Sequence, residues 1–457
     1  MIDSRKEARA QKARTAALTD GLGRAMRPLR VVDDLDPLLE RIGDARWVLL
    51  GEASHGTSEY YTWRAELSKR LILEKGFSFV GVEGDWPDCY RVNRYVKGFA
   101  DSGASAEAVL HAFERWPSWM WANREVVDFV EWLRRSNTQR QLPEERKVGF
   151  YGLDVYSLWE SMHAVIEYLE GIDAQLAGGA RRAYRCFEPY GEDAQEYARA
   201  TYLVPTSCEE QAVQVLRALR AETAEYDRDG RERFFNAEQN ALVAANAEEY
   251  YRTMVRGGPA SWNVRDRHMV ETLDRLVQHH RASNPEVKAI VWEHNTHIGD
   301  ARFTNMAGAG MVNVGQLIRQ AYGNEGVVLV GFGSHRGSVI AGDEWGAPMR
   351  RMLVPEARAG SWEDVLHRTT ANGQRDALLL FDDLDEQTLM QLDEPLLHRA
   401  IGVVYDPDHE QWGNYVPTLV GRRYDAFIHI DQSRALAPLH MPVRVDGELP
   451  ETFPSGV

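Results

Sequence analysis

Short apolar runs recur along the chain, and each run ends in a turn that contains glycine or polar residues. The runs rich in β-branched or other apolar residues are predicted to be strands, at residues 47–50, 77–82, 148–152, 289–292, 327–332, 377–381, 401–405 and 426–430. Because these runs are almost continuously hydrophobic, we expect both faces of each strand to be covered, as in a parallel sheet between layers of helices.

Helical patterns lie between the strands. Residues 58–75 are predicted to form a helix, with Ser58 as its cap and Gly76 at its end. Residues 125–135 carry apolar side chains at helical spacing, and so do residues 264–280. The alternation of strands and helices favours an α/β fold.

The stretch from about residue 158 to residue 285 is rich in Ala, Glu, Gln, Arg, Tyr and Leu and has few strand-like runs. We interpret it as a helical insertion, because strand-like runs resume directly after it. The predicted fold class is α/β, with a central, mostly parallel sheet, flanking helices and a large helical insertion that forms a deep cleft. The corresponding division is an N-terminal arm or helix (1–30), a first part of the α/β core (31–157), the helical portion (158–285) and a second part of the core (286–457).

The chain has 457 residues, enough to bury a sizeable core, and its hydrophobic (44%) and charged (27%) fractions are ordinary for a globular protein. It carries 69 Asp and Glu against 53 Lys and Arg, which gives a net charge of -16. Negative charge disfavours non-specific binding to nucleic acids and anionic lipids. We therefore expect a small-molecule substrate, with no nucleic-acid or membrane partner.

The three cysteines, Cys89, Cys186 and Cys208, are scattered and form neither a disulfide framework nor a CxxC motif. We expect reduced thiols, with Cys89 buried, in a reducing compartment. The N-terminal segment has basic residues but lacks the apolar run of a signal peptide. No stretch approaches the roughly 18 uncharged apolar residues of a membrane helix. These observations predict a cytoplasmic protein.

Acidic and histidine side chains follow five of the predicted strands. In an open α/β sheet, ligands bind beyond the carboxyl ends of the strands, so these side chains are expected to share one pocket. They are Glu52 and His55, Glu83 and Asp85, Asp154, Glu293 with His294 and His297, and Ser334 with His335 and Arg336.

The segment GEASHG brings Glu52 and His55 onto one turn between Gly51 and Gly56. A carboxylate beside a histidine raises the histidine pKa and fixes its tautomer, and both effects suit a general base. The alternative is structural, with Glu52 capping a helix and His55 serving only in the turn.

Arg64 lies within the apolar stripe of the predicted helix 58–75. A buried guanidinium keeps its charge and must meet carboxylates, for which Glu52 and Glu83 are the candidates. The alternative is that Arg64 extends to solvent and pairs locally.

His294 and His297 follow the strand 289–292 directly. Together with Glu293 and a distant histidine they permit a metal site with an open position, although HExxH and cysteine pairs are absent. His335 is a further candidate for the cleft. We predict no bound cofactor and leave a metal ion open.

The sequence lacks the motifs of several other enzyme classes. The chain has no G-x-S-x-G elbow, no GxxxxGK[ST] phosphate loop and no Rossmann fingerprint. A serine or cysteine nucleophile is therefore not predicted.

Three segments are distinctive together: GEASHGTSEYYTWRAEL, FVGVEGDWPDC and VWEHNTHIGD. They resemble the erythromycin esterase family, whose members hydrolyse the lactone ring of macrolide antibiotics. The segments RWPSWMW, YGLDVYSL, NVRDRHM and RYDAFIHID extend the resemblance from about residue 45 to residue 435.

The resemblance implies an α/β core with a large helical portion, and an esterase or lactonase of the kind that confers macrolide resistance in bacteria. Its motifs place the catalytic groups at Glu52, His55, Arg64, Glu83 and His294. It also implies that a histidine activates water, without an acyl-enzyme.

The aromatic residues near the expected cleft entrance suggest an apolar substrate of moderate size, or else serve in packing. The predicted substrate-binding residues are His297, Asp154, Trp86, His335 and Trp119. Two other functions stay open, a metal-dependent hydrolase of another ester or amide and a non-catalytic small-molecule binding protein.

Overall fold

A computed structural model describes residues 16–190, 194–203, 207–221, 228–370 and 376–439. Much of the predicted N-terminal arm, residues 1–15, lies outside the described residues, and so does the end of the second core part, residues 440–457. Residues 16–25 are helical.

A nine-stranded sheet forms the centre of the molecule, in the order β1-β8-β11-β6-β2-β5-β3-β4, with β7 paired to β6. The strands β9 and β10 form a separate antiparallel pair. The strands are β1 Arg27–Pro28, β2 Trp47–Leu50, β3 Phe79–Asp85, β4 Gly149–Asp154, β5 Ala289–Trp292, β6 Val327–Ala341, β7 Arg350–Val354, β8 Ala377–Leu380, β9 Leu396–Arg399, β10 Tyr415–Thr418 and β11 Ala426–Gln432.

The six neighbouring strands from β11 to β4 are parallel, whereas β8, β1 and β7 run antiparallel to their neighbours. Apolar side chains on the two faces of the sheet belong to two separate cores, with Val48 in one and Leu49 in the other. The predicted α/β class with a mostly parallel sheet is confirmed.

One predicted strand is wrong, and several bounds differ. Residues 401–405 make only isolated bridges, at Ile401 and Val404, and the neighbouring strand is β9. Ile401 and Tyr405 are nevertheless buried, against Val339 and Val354. The apolar run therefore marks a buried loop. The predicted strand 327–332 continues as β6 to Ala341.

Helices cover both faces of the sheet and fill the middle of the chain. They are α1 Asp36–Ile42, α2 Ser58–Lys75, α3 Trp86–Lys97, α4 Ala106–Leu110, α5 Arg124–Gln139, α6 Leu158–Glu170, α7 Ala174–Tyr184, α8 Ala194–Leu203, α9 Glu209–Ala221, α10 Arg228–Met254, α11 Pro259–Arg281, α12 Asn295–Ile298, α13 Val314–Tyr322, α14 Trp362–Thr369, α15 Glu386–Gln391, α16 Glu410–Gly413 and α17 Val420–Arg423.

The helix α2 matches the predicted range and ends at Gly76, whose φ of 71° is in the left-handed region that glycine tolerates. The predicted cap is wrong. Ser58 is the first residue of the helix, and Thr57 is the N-cap residue, without a side-chain hydrogen bond.

Six helices, α6 to α11, follow one another between β4 and β5, with no strand among the described residues of that stretch. Their apolar faces form a core of their own, which includes Val165, Leu216 and Tyr250. This helical part packs beside the sheet through α11, which contacts β4.

The expectation of three reduced thiols is wrong for two of them. Cys186 and Cys208 form a disulfide, because both flank helices that pack into the helical core and their Cα atoms lie 5.9 Å apart. A disulfide is not typical of a protein in a reducing compartment, so the cysteines no longer indicate one. Cys89 is a free, buried thiol, as predicted. Among the described residues, no helix is long and apolar enough to cross a membrane.

Candidate active site

The turn after β2 is shaped by close contacts at its two glycines. A Cβ atom at Gly51 would overlap the side chain of Asn295, and one at Gly56 would overlap the backbone of Ile340. Neither glycine has a positive φ, so close approach rather than an unusual backbone conformation requires them. The turn therefore packs closely against α12 at Gly51 and against β6 at Gly56.

Glu52, His55 and Arg64 form a buried chain of contacts. The Nδ1 atom of His55 lies 2.9 Å from Oε1 of Glu52, and Arg64 Nη2 donates to the other carboxylate oxygen at 2.7 Å. All three side chains are at most 2% exposed. Because a carboxylate only accepts, Nδ1 of His55 carries the proton, which leaves its Nε2 as a proton acceptor.

Arg64 meets a carboxylate, as its place in the apolar stripe of α2 predicts. Its guanidinium also lies over the ring of Tyr61, 4.3 Å from the centroid. The alternative in which Arg64 extends to solvent is thereby ruled out, since the side chain is fully buried.

Glu83, at the end of β3, binds a different arginine. Its Oε1 accepts from Nη2 of Arg265 at 2.7 Å, and its Oε2 accepts from the backbone N–H of His294 at 2.8 Å. Arg265 also binds both carboxylate oxygens of Asp154, at 3.0 Å from Nε and 2.7 Å from Nη2. One guanidinium on α11 thus ties together the ends of β3 and β4.

His294 lies directly after β5, and its ring centroid is 5.0 Å from that of His55. Its Nδ1 accepts from the backbone N–H of Thr296 and lies 2.8 Å from the hydroxyl of that residue. In the neutral ring the proton therefore belongs to Nε2, which is buried and has no hydrogen-bond partner among the described residues. This arrangement leaves an unused N–H donor beside His55.

His297 is fixed on three sides. Its Nδ1 lies 3.0 Å from both carboxylate oxygens of Asp266, and its ring stacks on Trp262 with the centroids 4.5 Å apart. Its Nε2 lies 3.1 Å from Nη1 of Arg265. His297 therefore helps to hold the Arg265 guanidinium in place through this contact.

Buried charges set the protonation states of these groups in opposite directions. Burial opposes a charge on His55, but the carboxylates of Glu83 and Glu52 outweigh it and raise the histidine pKa. Burial also opposes the charge on Glu83, yet His297, His55 and Arg265 hold the pKa of that carboxyl far below its usual value. For His294, burial and the nearby His55 both disfavour the charged ring, so its pKa falls well below the usual range. The site pairs a basic histidine with a neutral one.

A cavity of about 60 Å³ opens beside His55. Its walls combine charged groups with aromatic rings: Glu83, Asp85, Asp88, Arg115, Asp154 and Arg265, with Phe113, Trp116, Trp121, Tyr156 and Trp345. Trp116 and Trp345 lie with their ring centroids 4.6 Å apart. A cavity of this size admits the reacting part of a ligand and a few water molecules.

Three predicted substrate contacts lie elsewhere. Trp86 is fully buried, stacked on Tyr151 with a centroid distance of 5.7 Å, and Trp119 is buried in the core. His335 stacks on His367 at 3.7 Å, because β6 continues past it instead of ending. None of the three lines the cavity. Of the other two predicted contacts, Asp154 lines it and His297 lies behind Arg265.

Three residues of the site were not predicted. Arg265 and Asp266 come from α11, and Trp345 comes from a loop. A signal for Arg265 exists, because it lies inside the apolar stripe of its helix between Trp262 and Met269, as Arg64 does in α2. No comparable signal distinguishes Trp345 from core residues.

No cluster of three or more His, Cys, Asp and Glu side chains arranged to hold a metal ion occurs in the part of the chain that the structure describes.

The family model for erythromycin esterase matches residues 72–433, most of the chain and all of the strands from β3 to β11. The chain belongs to the erythromycin esterase family.

One relative of this family member is distant in sequence. Erythromycin esterase type II of Escherichia coli is 28% identical over 123 residues, which cover 27% of this chain and 26% of that protein. The chain thus matches only about a quarter of the length of this relative.

Three solved structures share the fold. A succinoglycan biosynthesis protein has a TM-score of 0.74 at 20% identity, over 93% of this chain and 98% of that one. A Bacillus cereus protein has a TM-score of 0.75 at 20% identity, over 93% and 99%. A histidine-to-asparagine mutant of the erythromycin esterase EreC, in its open conformation, has a TM-score of 0.64 at 18% identity, over 89% and 98%.

Proposed function

We propose that this family member hydrolyses a carboxylic ester or lactone with water activated by His55, without an acyl-enzyme. The observation that carries the proposal is the pairing of His55 with His294. Glu52 holds the His55 ring through Nδ1, which leaves Nε2 as the basic nitrogen of a residue that lines the cavity. His294 is not part of the cavity wall, but its ring lies 5.0 Å from that of His55 between centroids, and its Nε2 has no hydrogen-bond partner among the described residues.

In the proposed reaction, Nε2 of His55 takes a proton from water as the water oxygen attacks the carbonyl carbon. The carbonyl oxygen becomes an oxyanion, which the Nε2–H of His294 stabilises. A preorganised donor of this kind typically lowers the barrier by about 3–4 kcal/mol. Glu52 and Arg64 act as positioning residues, because they hold the His55 ring and its tautomer.

The absence of an acyl-enzyme is proposed from the side chains that line the cavity. Its lining includes one serine among the described residues, Ser118, and the Oγ atom of this serine is buried without a hydrogen-bond partner. A serine nucleophile needs an adjacent base, and Ser118 has none. Intact-protein mass spectrometry during turnover is expected to show no covalent adduct, and a trapped acyl group on any residue would contradict this step.

The family name suggests a macrolide lactone as the substrate, whereas the cavity of about 60 Å³ fits only the ester group and its near neighbours. A macrolide would fit only if the walls of the cavity moved apart or if most of the ring stayed outside it. The decisive experiment is a hydrolysis screen that includes macrolides, small alkyl esters and aryl esters, with the product identified by mass. We expect at least one ester class to be cleaved, and a failure on all classes would overturn the proposal.

Activity in that screen is expected to survive EDTA, because the proposed steps use only protein groups. The control is the same assay with added zinc or manganese. Activity lost to EDTA and restored by either ion would instead favour a metal-dependent hydrolase in the same cavity.

The rate is expected to fall with decreasing pH, because only a neutral His55 accepts the proton. Burial works against the charged ring, but Glu83 and Glu52 raise the His55 pKa above the usual 6.5, so the acid limb of kcat/KM should lie above that pH. Replacing Glu52 with Gln removes one of the carboxylates and should move the limb to lower pH. If the acid limb of kcat/KM lies at the same pH in Glu52→Gln as in the wild type, Glu52 does not raise the pKa of His55.

A further inference from the structure

We propose that Asp85 is the acid that protonates the departing alcohol when the tetrahedral intermediate collapses. This inference rests on the proposed ester hydrolysis and adds a catalytic residue to it. Asp85 is the last residue of β3, two positions after Glu83, and lines the same cavity as His55. Asp85 lies in the motif FVGVEGDWPDC and among the acids expected beyond the strand ends, but neither the resemblance nor the predicted set of catalytic residues gives it a role.

The carboxyl of Asp85 differs from the other acids of the site in its contacts. Glu83 and Asp154 bind Arg265 at 2.7 Å, but Asp85 Oδ1 is buried and has no hydrogen-bond partner among the described residues. Its Oδ2 lies 3.6 Å from Nη1 of Arg115, too far for a hydrogen bond. Arg115 is close enough for an ion pair with Asp85, but Oδ1 makes no hydrogen bond that would occupy a proton on this carboxyl. The carboxyl can therefore donate a proton to a ligand.

The charges that face Asp85 are mainly negative. Asp154 lies opposite it on β4, Asp88 follows it on α3, and Glu160 lies on α6, while Arg115 is the nearby cation. Burial is the largest cause that raises the pKa of Asp85. Arg115 lowers this pKa, and the three neighbouring carboxylates raise it. Together they raise the pKa of Asp85 to about 8. At neutral pH the group holds a proton inside the cavity.

The proposed reaction needs a proton at the step in which the alcohol leaves, and Asp85 can supply it. His55 takes one proton from water during attack. When the C–O bond breaks, its electron pair stays on the alcohol oxygen, and the Asp85 proton is transferred to that oxygen. The imidazolium of His55 then returns its proton through solvent to the Asp85 carboxylate, which restores both groups. The products are one carboxylic acid and one alcohol.

The test compares two esters of the same acid that differ in the leaving group. A 4-nitrophenolate leaves as a stable anion and needs no acid, whereas an alkoxide does. Asp85→Asn is expected to lower kcat/KM for the ethyl ester by about 100-fold or more and to leave hydrolysis of the 4-nitrophenyl ester nearly unchanged. The matched control is Asp393→Asn, which removes a carboxylate from an exposed pair with Arg422 and should alter neither rate.

The pH profile supplies a second readout, which does not need the Asp85 variant to fold. With the ethyl ester, kcat/KM should fall as pH rises through about 8, because Asp85 loses its proton there. Asp88→Asn removes a negative neighbour, favours ionisation of Asp85, and should move this alkaline limb to lower pH. The 4-nitrophenyl ester should show no such limb.

Three results would overturn the inference. They are an equal loss on both esters in Asp85→Asn, an alkaline limb that persists in that variant, and a limb that Asp88→Asn does not move. The failure of the proposed function is a different result, in which the wild type cleaves neither ester or the His55→Asn variant cleaves both as well as the wild type. That result would remove the role of Asp85 together with the reaction.

Discussion

Replacing His55 with Asn is expected to lower kcat/KM for ester hydrolysis by about 100- to 10,000-fold, the range that a general base contributes. Asn keeps a polar side chain next to Glu52 but has no basic nitrogen to take the proton of water. The loss should appear with aryl and alkyl esters alike, because attack by water precedes departure of either leaving group. Steady-state kinetics on both substrates measures it.

The control for this prediction is His409→Asn, which changes a histidine that is exposed and paired only with Asp406. It should hydrolyse both esters at the wild-type rate. Circular dichroism and thermal unfolding show whether His55→Asn remains folded. A folded His55→Asn protein with near wild-type activity would remove the proposed mechanism.

The strands that could be predicted from the sequence are those that are both buried and paired on two sides in the sheet. The strands 47–50 and 289–292 match their predicted ranges, since both lie in the middle of the sheet and are apolar on both faces. The edge strand β7 was missed because four of its five residues, which include two arginines, are not buried. The run 401–405 was wrongly predicted to be a strand, because its hydrophobicity reflects the burial of a loop.

The candidate site could be predicted in part for a related reason. The rule that ligands bind beyond strand ends brings Glu52, Glu83, Asp154 and His294 together, because β2, β3, β4 and β5 are parallel neighbours. The same rule fails for His335, whose strand continues. Trp345, which a loop contributes, depends on long-range packing that has no local pattern.

Replacing Arg265 with Met is expected to lower the free energy of unfolding by about 3–5 kcal/mol, the cost of leaving buried charges without their partner. Arg265 is the only arginine or lysine within hydrogen-bond distance of Glu83 and Asp154 among the described residues, and both carboxylates are at most 5% exposed. Met fills similar space but cannot donate. Urea unfolding of the variant and the wild type measures the difference.

Two comparisons separate the charge effect from lost packing. Arg24→Met breaks an ion pair whose side chains are 65% and 49% exposed, and it should lower the free energy of unfolding by at most about 1 kcal/mol.

The second comparison is the pH dependence of stability. The pKa of Glu83 is held low in the native protein, so this carboxyl stabilises the fold above its ordinary pKa of 4.5. Its contribution is lost as pH falls toward the lowered value. Without Arg265 the Glu83 pKa should rise, and protonation should relieve the buried charge in the variant at mildly acidic pH. The difference between wild type and Arg265→Met should therefore shrink below about pH 4.5. A deficit that stays constant down to lower pH would assign the loss to packing and would contradict the electrostatic role of Arg265.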